Sequence, residues 1–157
     1  MDNTLDETEH GMEHGMEHRM GHRMGHRMTD KAIEFRFAEP QDVPLILRFI
    51  KELADYEGML DQVVATEELL NQWLFEKEKA EVILGMKDGE AVGFALFFHN
   101  FSTFLGRSGI YLEDLYVRPE YRGQGFGTAF LNRLAAIAVE RGCGRLEWWC
   151  LDWNKPS

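Results

Sequence analysis

Cysteine, basic charge and long apolar runs are all scarce in this chain. Cys143 and Cys150 are its two cysteines, too few for a disulfide framework, and seven residues apart across a glycine-containing segment they lack zinc-ligand partners. Both are expected to be inert packing groups in a reducing cytoplasm. Lysine and arginine number 17 against 27 aspartates and glutamates, a balance of −10. That argues against general nucleic-acid binding, which needs a dense cationic surface, and mildly favours cationic partners. No run of about 18 apolar residues offers a membrane span, and no apolar core near the amino terminus marks a secretion signal. Beyond the first 31 residues His99 is the one histidine. Ser-His-Asp and Cys-His catalysis therefore lack a supporting motif, and His99, ending an apolar strand, reads as a satisfied core or loop residue.

What is present is enough for one core: 157 residues, 45% hydrophobic and 12% aromatic, predict one folded domain. Residues 1–31 stand apart as low-complexity sequence. His10, His14, His18, His22 and His26 recur every four residues, as do Met12, Met16, Met20, Met24 and Met28. A helix would stack those imidazoles as copper, nickel or zinc ligands. Glycines at 11, 15, 21 and 25 oppose a helix, so the expectation is a disordered tail with no resident metal. Met28 would also serve as an ordinary start.

From Ile33 onward, strand and helix patterns alternate. Residues 34–38 alternate polar and apolar as a half-buried strand, and Pro40 opens the next element. Val43, Leu45, Ile46, Phe49, Ile50, Leu53 and Ala54 repeat at three and four, predicting an amphipathic helix to about Tyr56. Thr66 caps a short second helix with Leu69, Leu70, Trp73 and Leu74 inward. Residues 81–86 and 91–99 are strands joined by an Asp88-Gly89 hairpin turn. A polar loop over 100–108 leads to a strand over 110–117, stopped by Arg118-Pro119. A helix over about 128–141 buries Phe130, Leu131, Leu134, Ala135, Ile137 and Ala138, and residues 145–151 form a strand parallel to the one before the glycines. Trp148, Trp149 and Trp153 read as sheet packing rather than base stacking. The fold class is α/β (α+β), a mixed sheet with one phosphate-type loop at a strand's carboxyl end.

That loop is Arg122-Gly123-Gln124-Gly125-Phe126-Gly127. Alternate glycines let the backbone turn its N–H groups toward one point, where the next helix aims its positive end, so a phosphate-bearing ligand is implied. A Walker A loop would need Lys after Gly127, and Thr128 stands there. A dinucleotide fingerprint does not fit glycines spaced two and two, although Glu147 or Asp152 could imitate its ribose-binding acid.

The loop resembles the acetyl-CoA loop of the GNAT superfamily of N-acetyltransferases, and the order of elements from Ile33 to Ser157 is similar to that fold. Residues 53–57, 101–107, 111–117, 121–127 and 151–154 further resemble the diamine and thialysine acetyltransferase branch. The resemblance implies an acyl-CoA N-acyltransferase fold, a mixed, mostly antiparallel sheet with flanking helices. It implies acetyl-CoA as co-substrate, no metal, a small amine as acceptor, and a cytoplasmic homodimer. Arg122, Gly123, Gln124, Gly125, Phe126 and Gly127 would hold the pyrophosphate, Arg122 by a charge-assisted contact. Leu115 and Val117 would hold the pantetheine arm, with a strand amide near Leu115 as an oxyanion donor, typically worth about 3 kcal/mol. Asn154 joins the cofactor-binding set.

An aliphatic ammonium with a pKa of about 10 needs a proton acceptor before it can act as a nucleophile. Glu113 and Asp114 suit that need, but neighbouring strand residues face opposite ways unless the strand bulges. Glu113 is assigned as base, directly or through water, and Asp114 as the acceptor-orienting carboxylate; a strand-end cap or a pairing with Arg107 is the plainer alternative for either. Glu57 would receive a distal ammonium, or simply end a helix in solvent, and Phe104 would contact the substrate. Residues 154–157 read as the start of a helix, and the family supplies there a helix, a closing hairpin and a proton-donating tyrosine. The expectations are a carboxyl-terminally incomplete domain over 32–157, an uncovered strand edge at 145–151, and, as the alternative to turnover, acetyl-CoA binding without it.

Overall fold

The computed structural model describes the backbone of residues 2–6 and residues 33–149 in full. The strands are β1 (Asp2–Asp6), β2 (Glu34–Phe37), β3 (Glu81–Lys87), β4 (Glu90–Ser102), β5 (Arg107–Val117) and β6 (Arg145–Trp149). They form a sheet in the order β1-β6-β5-β4-β3-β2. Every pairing is antiparallel except β5 with β6. The parallel pair is the one bridged by helix α3 (Phe126–Glu140), as a strand–helix–strand crossover requires.

Helices cover both faces. On β3, Val82 and Leu84 enter one apolar cluster with Ile46 and Phe49 of α1 (Val43–Tyr56), while Ile83 between them enters the other with Phe130, Leu134 and Ile137 of α3. This is the period-two alternation of a strand buried on both sides. α1 starts where Asp42, itself buried, receives both guanidinium nitrogens of Arg36 at 2.7 and 2.8 Å and the amide of Glu39 at 2.8 Å. The chain entering the helix is thereby fixed to β2.

Several elements depart from the sequence expectations. α2 (Glu67–Leu70) is capped by Thr66, whose Oγ1 accepts from the Leu69 amide at 3.2 Å. It then widens into a π-helical turn over Asn71–Glu76. With that change of pitch Leu70 and Leu74 turn inward, whereas Leu69 and Trp73 are exposed. The loop expected over 100–108 shrinks to residues 103–106, because Asn100, Ser102 and Ser108 are strand residues that β4 and β5 pair across the ladder. The last helix begins at Phe126, since left-handed Gly125 (φ 81°) serves as its N-cap. The start of the supposedly disordered tail is β1, which pairs antiparallel along the whole of β6. Its alternation is too short and too acidic to read as a strand, yet it meets the hydrogen-bonding groups of β6 that were expected to lie open. The histidine–methionine repeat, Cys150, Trp153, Asn154 and the end of the 145–151 strand lie outside the described residues.

Candidate active site

β5 and β6 pair over Ile110 with Leu146, Tyr111 with Glu147 and Leu112 with Trp148, and no further among the described residues. β5 continues to Val117. From residue 113 onward, where no described residue pairs with it on that side, β5 lines a cavity of about 430 Å³. Leu112 to Val117 form one wall, Trp148 and Trp149 another, Leu53, Tyr56, Glu57 and Met59 from the end of α1 a third, and Arg122, Gly127, Thr128 and Leu131 the floor toward α3. A fork between strands leaves main-chain donors and acceptors available to an elongated ligand.

The fork begins at a β-bulge. Across the ladder Leu96 faces Asp114 and the next residue, Phe97, faces Leu112, so Glu113 is skipped in the register. One extra residue cancels the strand's alternation locally, and Glu113 and Asp114 both line the cavity. Asp114 is the more enclosed; burial, then the charge of Glu113, then that of Glu57 push its carboxyl up to about 6. Glu57, at the end of α1, is also raised by burial. Three acids from two elements thus surround one space, and a cation entering it would relieve both the desolvation and the repulsion.

The glycine loop meets the cavity at Arg122 and Gly127. Gly123 and Gly125 have φ of 78° and 81°, in the left-handed region that suits glycine. A Cβ placed on Gly123, Gly125 or Gly127 would meet nothing within 4 Å, so that side of the loop is open space. The Ala129 amide bonds to the Gly125 carbonyl at 3.0 Å, and the amides before it in the first turn have no helical acceptor. Those donors and the helix dipole suit the phosphates of acetyl-CoA, and the open β5 edge suits its pantetheine arm. The residues present therefore fit the co-substrate, which supplies the activated acetyl group when bound.

Arg122 is held by three contacts. Its Nε donates to the Val117 carbonyl at 2.9 Å, and its guanidinium lies 4.5 Å over the Tyr56 ring and 5.7 Å from the Tyr116 ring centroid. The Tyr116 hydroxyl donates to Glu52 on α1 at 2.8 Å; its burial and that acceptor push the phenol up to about 12. Arg122 thus ties the glycine loop to α1.

Of the residues expected to act, Glu57, Glu113, Asp114, Leu115, Val117, Arg122 and Gly127 line the cavity. Gly123, Gln124 and Gly125 lie exposed in the loop, and Phe126 is buried beneath it. Phe104 does not join them: it stands fully exposed on the four-residue turn after β4, which carries it beyond the sheet. His99 is held, as expected, with Nδ1 3.1 Å from the Gly109 carbonyl. Sequence reading gave no role to Tyr56, Tyr116 or Lys87. Lys87 leaves β3 and donates to Gln124 Oε1 at 3.2 Å. Tyr116 carried a readable signal, an aromatic two residues after Asp114 on the same strand, but its partner Glu52 is 64 residues away.

The comparisons agree with this geometry. A solved protein from Clostridium acetobutylicum, described as a predicted acetyltransferase with acetyl-CoA, shares the fold with a TM-score of 0.67 at 20% identity, covering 80% of this chain and 85% of that one. A thialysine N-epsilon-acetyltransferase of Bos taurus is 40% identical over 134 residues, covering 80% of this chain and 78% of its own length. An L-ornithine N5-acetyltransferase of Arabidopsis thaliana is 31% identical over 165 residues, covering 76% and 72%. The profile of the acetyltransferase (GNAT) family matches residues 47–157. The fold is that of an acetyl-CoA-dependent N-acetyltransferase. The chain belongs to the GNAT acetyltransferase family.

Proposed function

We propose that this enzyme acetylates a primary amine of a small diamine, polyamine or thialysine-like amino acid, with Asp114 as the proton acceptor. The observation that carries the reading is the bulge at Glu113, which brings two carboxylates into the fork beside the glycine loop. Asp114 takes the role first assigned to Glu113, because a carboxyl titrating near 6 is ionised at neutral pH yet closer to the working range than an ordinary aspartate. It attracts the ammonium and takes one of its protons; the freed lone pair then bonds to the acetyl carbon as the thioester C–S bond breaks, and the second proton that nitrogen loses is balanced by the one the departing CoA thiolate takes up. Exposed Glu113 steers the incoming cation and raises the basicity of Asp114. Glu57 receives a second, distal charge. Leu115 offers its main chain beyond the bulge, where no described residue of β6 pairs with it. The names of the mammalian and plant relatives support an amine acceptor of this size.

The proposal includes a homodimer, which sedimentation velocity at assay concentration tests. A thiol-release assay with thialysine, ornithine, putrescine and spermidine tests the activity. Turnover of at least one of them, lost in Asp114→Asn, is the expected result. Saturable CoA binding without turnover of any of the four would leave a binding module instead.

A further inference from the structure

Arg122 is the cation next to the glycines in sequence, but its Nε is committed to the Val117 carbonyl and its faces to Tyr56 and Tyr116, on the cavity side of the loop. A different cation stands beside the loop itself. Lys87, the last residue of β3, donates its ammonium to Gln124 Oε1 at 3.2 Å and lies 5.4 Å from the Phe126 ring centroid. The same hairpin makes a second tie: the Tyr121 hydroxyl donates to Glu90 Oε2 at 3.3 Å. Tyr121 directly precedes the loop and Gln124 lies within it, so the β3–β4 hairpin touches this segment at two points.

We infer that Lys87 is a phosphate-binding residue for acetyl-CoA, contributed by the β3–β4 hairpin rather than by the glycine loop. This rests on the reading of residues 122–127 as the cofactor loop. Three features support it. Gln124 sits between two left-handed glycines, with open space where their Cβ atoms would be, so a phosphate over that cradle comes within reach of a cation on Gln124. A lysine ammonium is a compact point charge whose stem can rest on an aromatic ring while its head turns to an oxyanion. Its present acceptor is a neutral amide, a weaker partner than a phosphate oxygen. On a chain of net charge −10, a positive charge at the loop also offsets the general repulsion of a polyanionic co-substrate.

The test is isothermal titration of the full chain with CoA and with dephospho-CoA, at several salt concentrations, for the wild type, Lys87→Gln, Lys87→Arg and the control Lys77→Gln. Lys77 stacks on Trp73 at 4.1 Å, outside the site. The expected result is a Kd for CoA about tenfold weaker in Lys87→Gln, the factor that about 1.4 kcal/mol represents. A shallower salt dependence should accompany it, Lys87→Arg should recover most of the loss, and Lys77→Gln should bind as wild type. A loss equal for both ligands assigns the contact to the pyrophosphate; a loss confined to CoA assigns it to the 3′-phosphate. Unchanged affinity and salt dependence in folded Lys87→Gln overturn the inference while leaving the cofactor loop intact. Absence of CoA binding by the wild type would overturn the loop reading itself.

Discussion

Glu113 and Asp114, neighbours in sequence, share one cavity wall because the β4–β5 register skips Glu113. A regular strand would have sent one of the two carboxylates to the other face. The bulge gathers negative charge at the point on β5 where, among the described residues, its pairing with β6 ends. The charge comes at a cost in stability, since burial and repulsion disfavour ionised Asp114.

That cost makes the first prediction. The folded pKa of Asp114, about 6, lies above its unfolded value. Between those two values the native state holds the extra proton, so this group's contribution falls as pH rises toward 6 and stays unfavourable above it. Asp114→Asn is expected to abolish most turnover, by on the order of 100-fold or more, and to raise stability at pH 8 by on the order of 2 kcal/mol, with little gain near pH 4. Thermal melts across pH, paired with the thiol-release assay, check both halves; unchanged turnover would remove Asp114 from the mechanism.

Glu57 separates binding from chemistry. If its carboxylate receives the distal ammonium, Glu57→Gln raises the KM for a diamine about fivefold, the factor that about 1 kcal/mol represents, and leaves kcat nearly intact. It also removes one of the charges that raise Asp114, so the acidic limb of the rate profile moves to lower pH. A monoamine of the same length should show the pH change without the KM change.

The fold was largely legible in the sequence, since it rests on periodicities that local chemistry fixes: the α1 stripe, the Asp88-Gly89 hairpin and the Gly-rich entry to α3. The carboxylate pair was legible only conditionally, because nothing in residues 111–117 signals which residue will bulge. That is decided by register with Leu96 and Phe97, set by packing on both faces of β4. Leu69 and Trp73 misled because a π-turn changes which positions share a helix face. The contacts of Arg122 with Tyr56 and of Lys87 with Gln124 join elements far apart in the chain, where neither spacing nor motif carries information.

The bond between Arg36 and Asp42 predicts an acid-sensitive step in stability. The Arg36 guanidinium holds the Asp42 carboxyl below the ordinary range. Its contribution is thus fully present above the unfolded pKa and is lost as pH falls through the lower, folded one. Asp42→Ala leaves the guanidinium and the Glu39 amide without their acceptor and is expected to cost about 2 kcal/mol at pH 7, discounted for the partial exposure of Arg36. Urea unfolding from pH 7 to 3 should show the difference between wild type and variant narrowing only below about pH 4.

Gly125 distinguishes what the loop needs for folding from what it needs for its ligand. Its φ of 81° places alanine in strained backbone, at a cost of on the order of 1 kcal/mol, although no protein atom lies within 4 Å of the added methyl. Stability should therefore fall modestly in Gly125→Ala. With the phosphates over this loop, as proposed, the methyl enters their space, so CoA affinity should fall by tenfold or more, well beyond the backbone strain. Gly58 provides the comparison, being left-handed (φ 72°) and equally open but remote from the loop in sequence. Gly58→Ala should show the same small loss of stability with CoA affinity unchanged. Equal CoA affinity in both variants would mean that the space over Gly125 is not where the phosphates bind, whatever the strain in the loop.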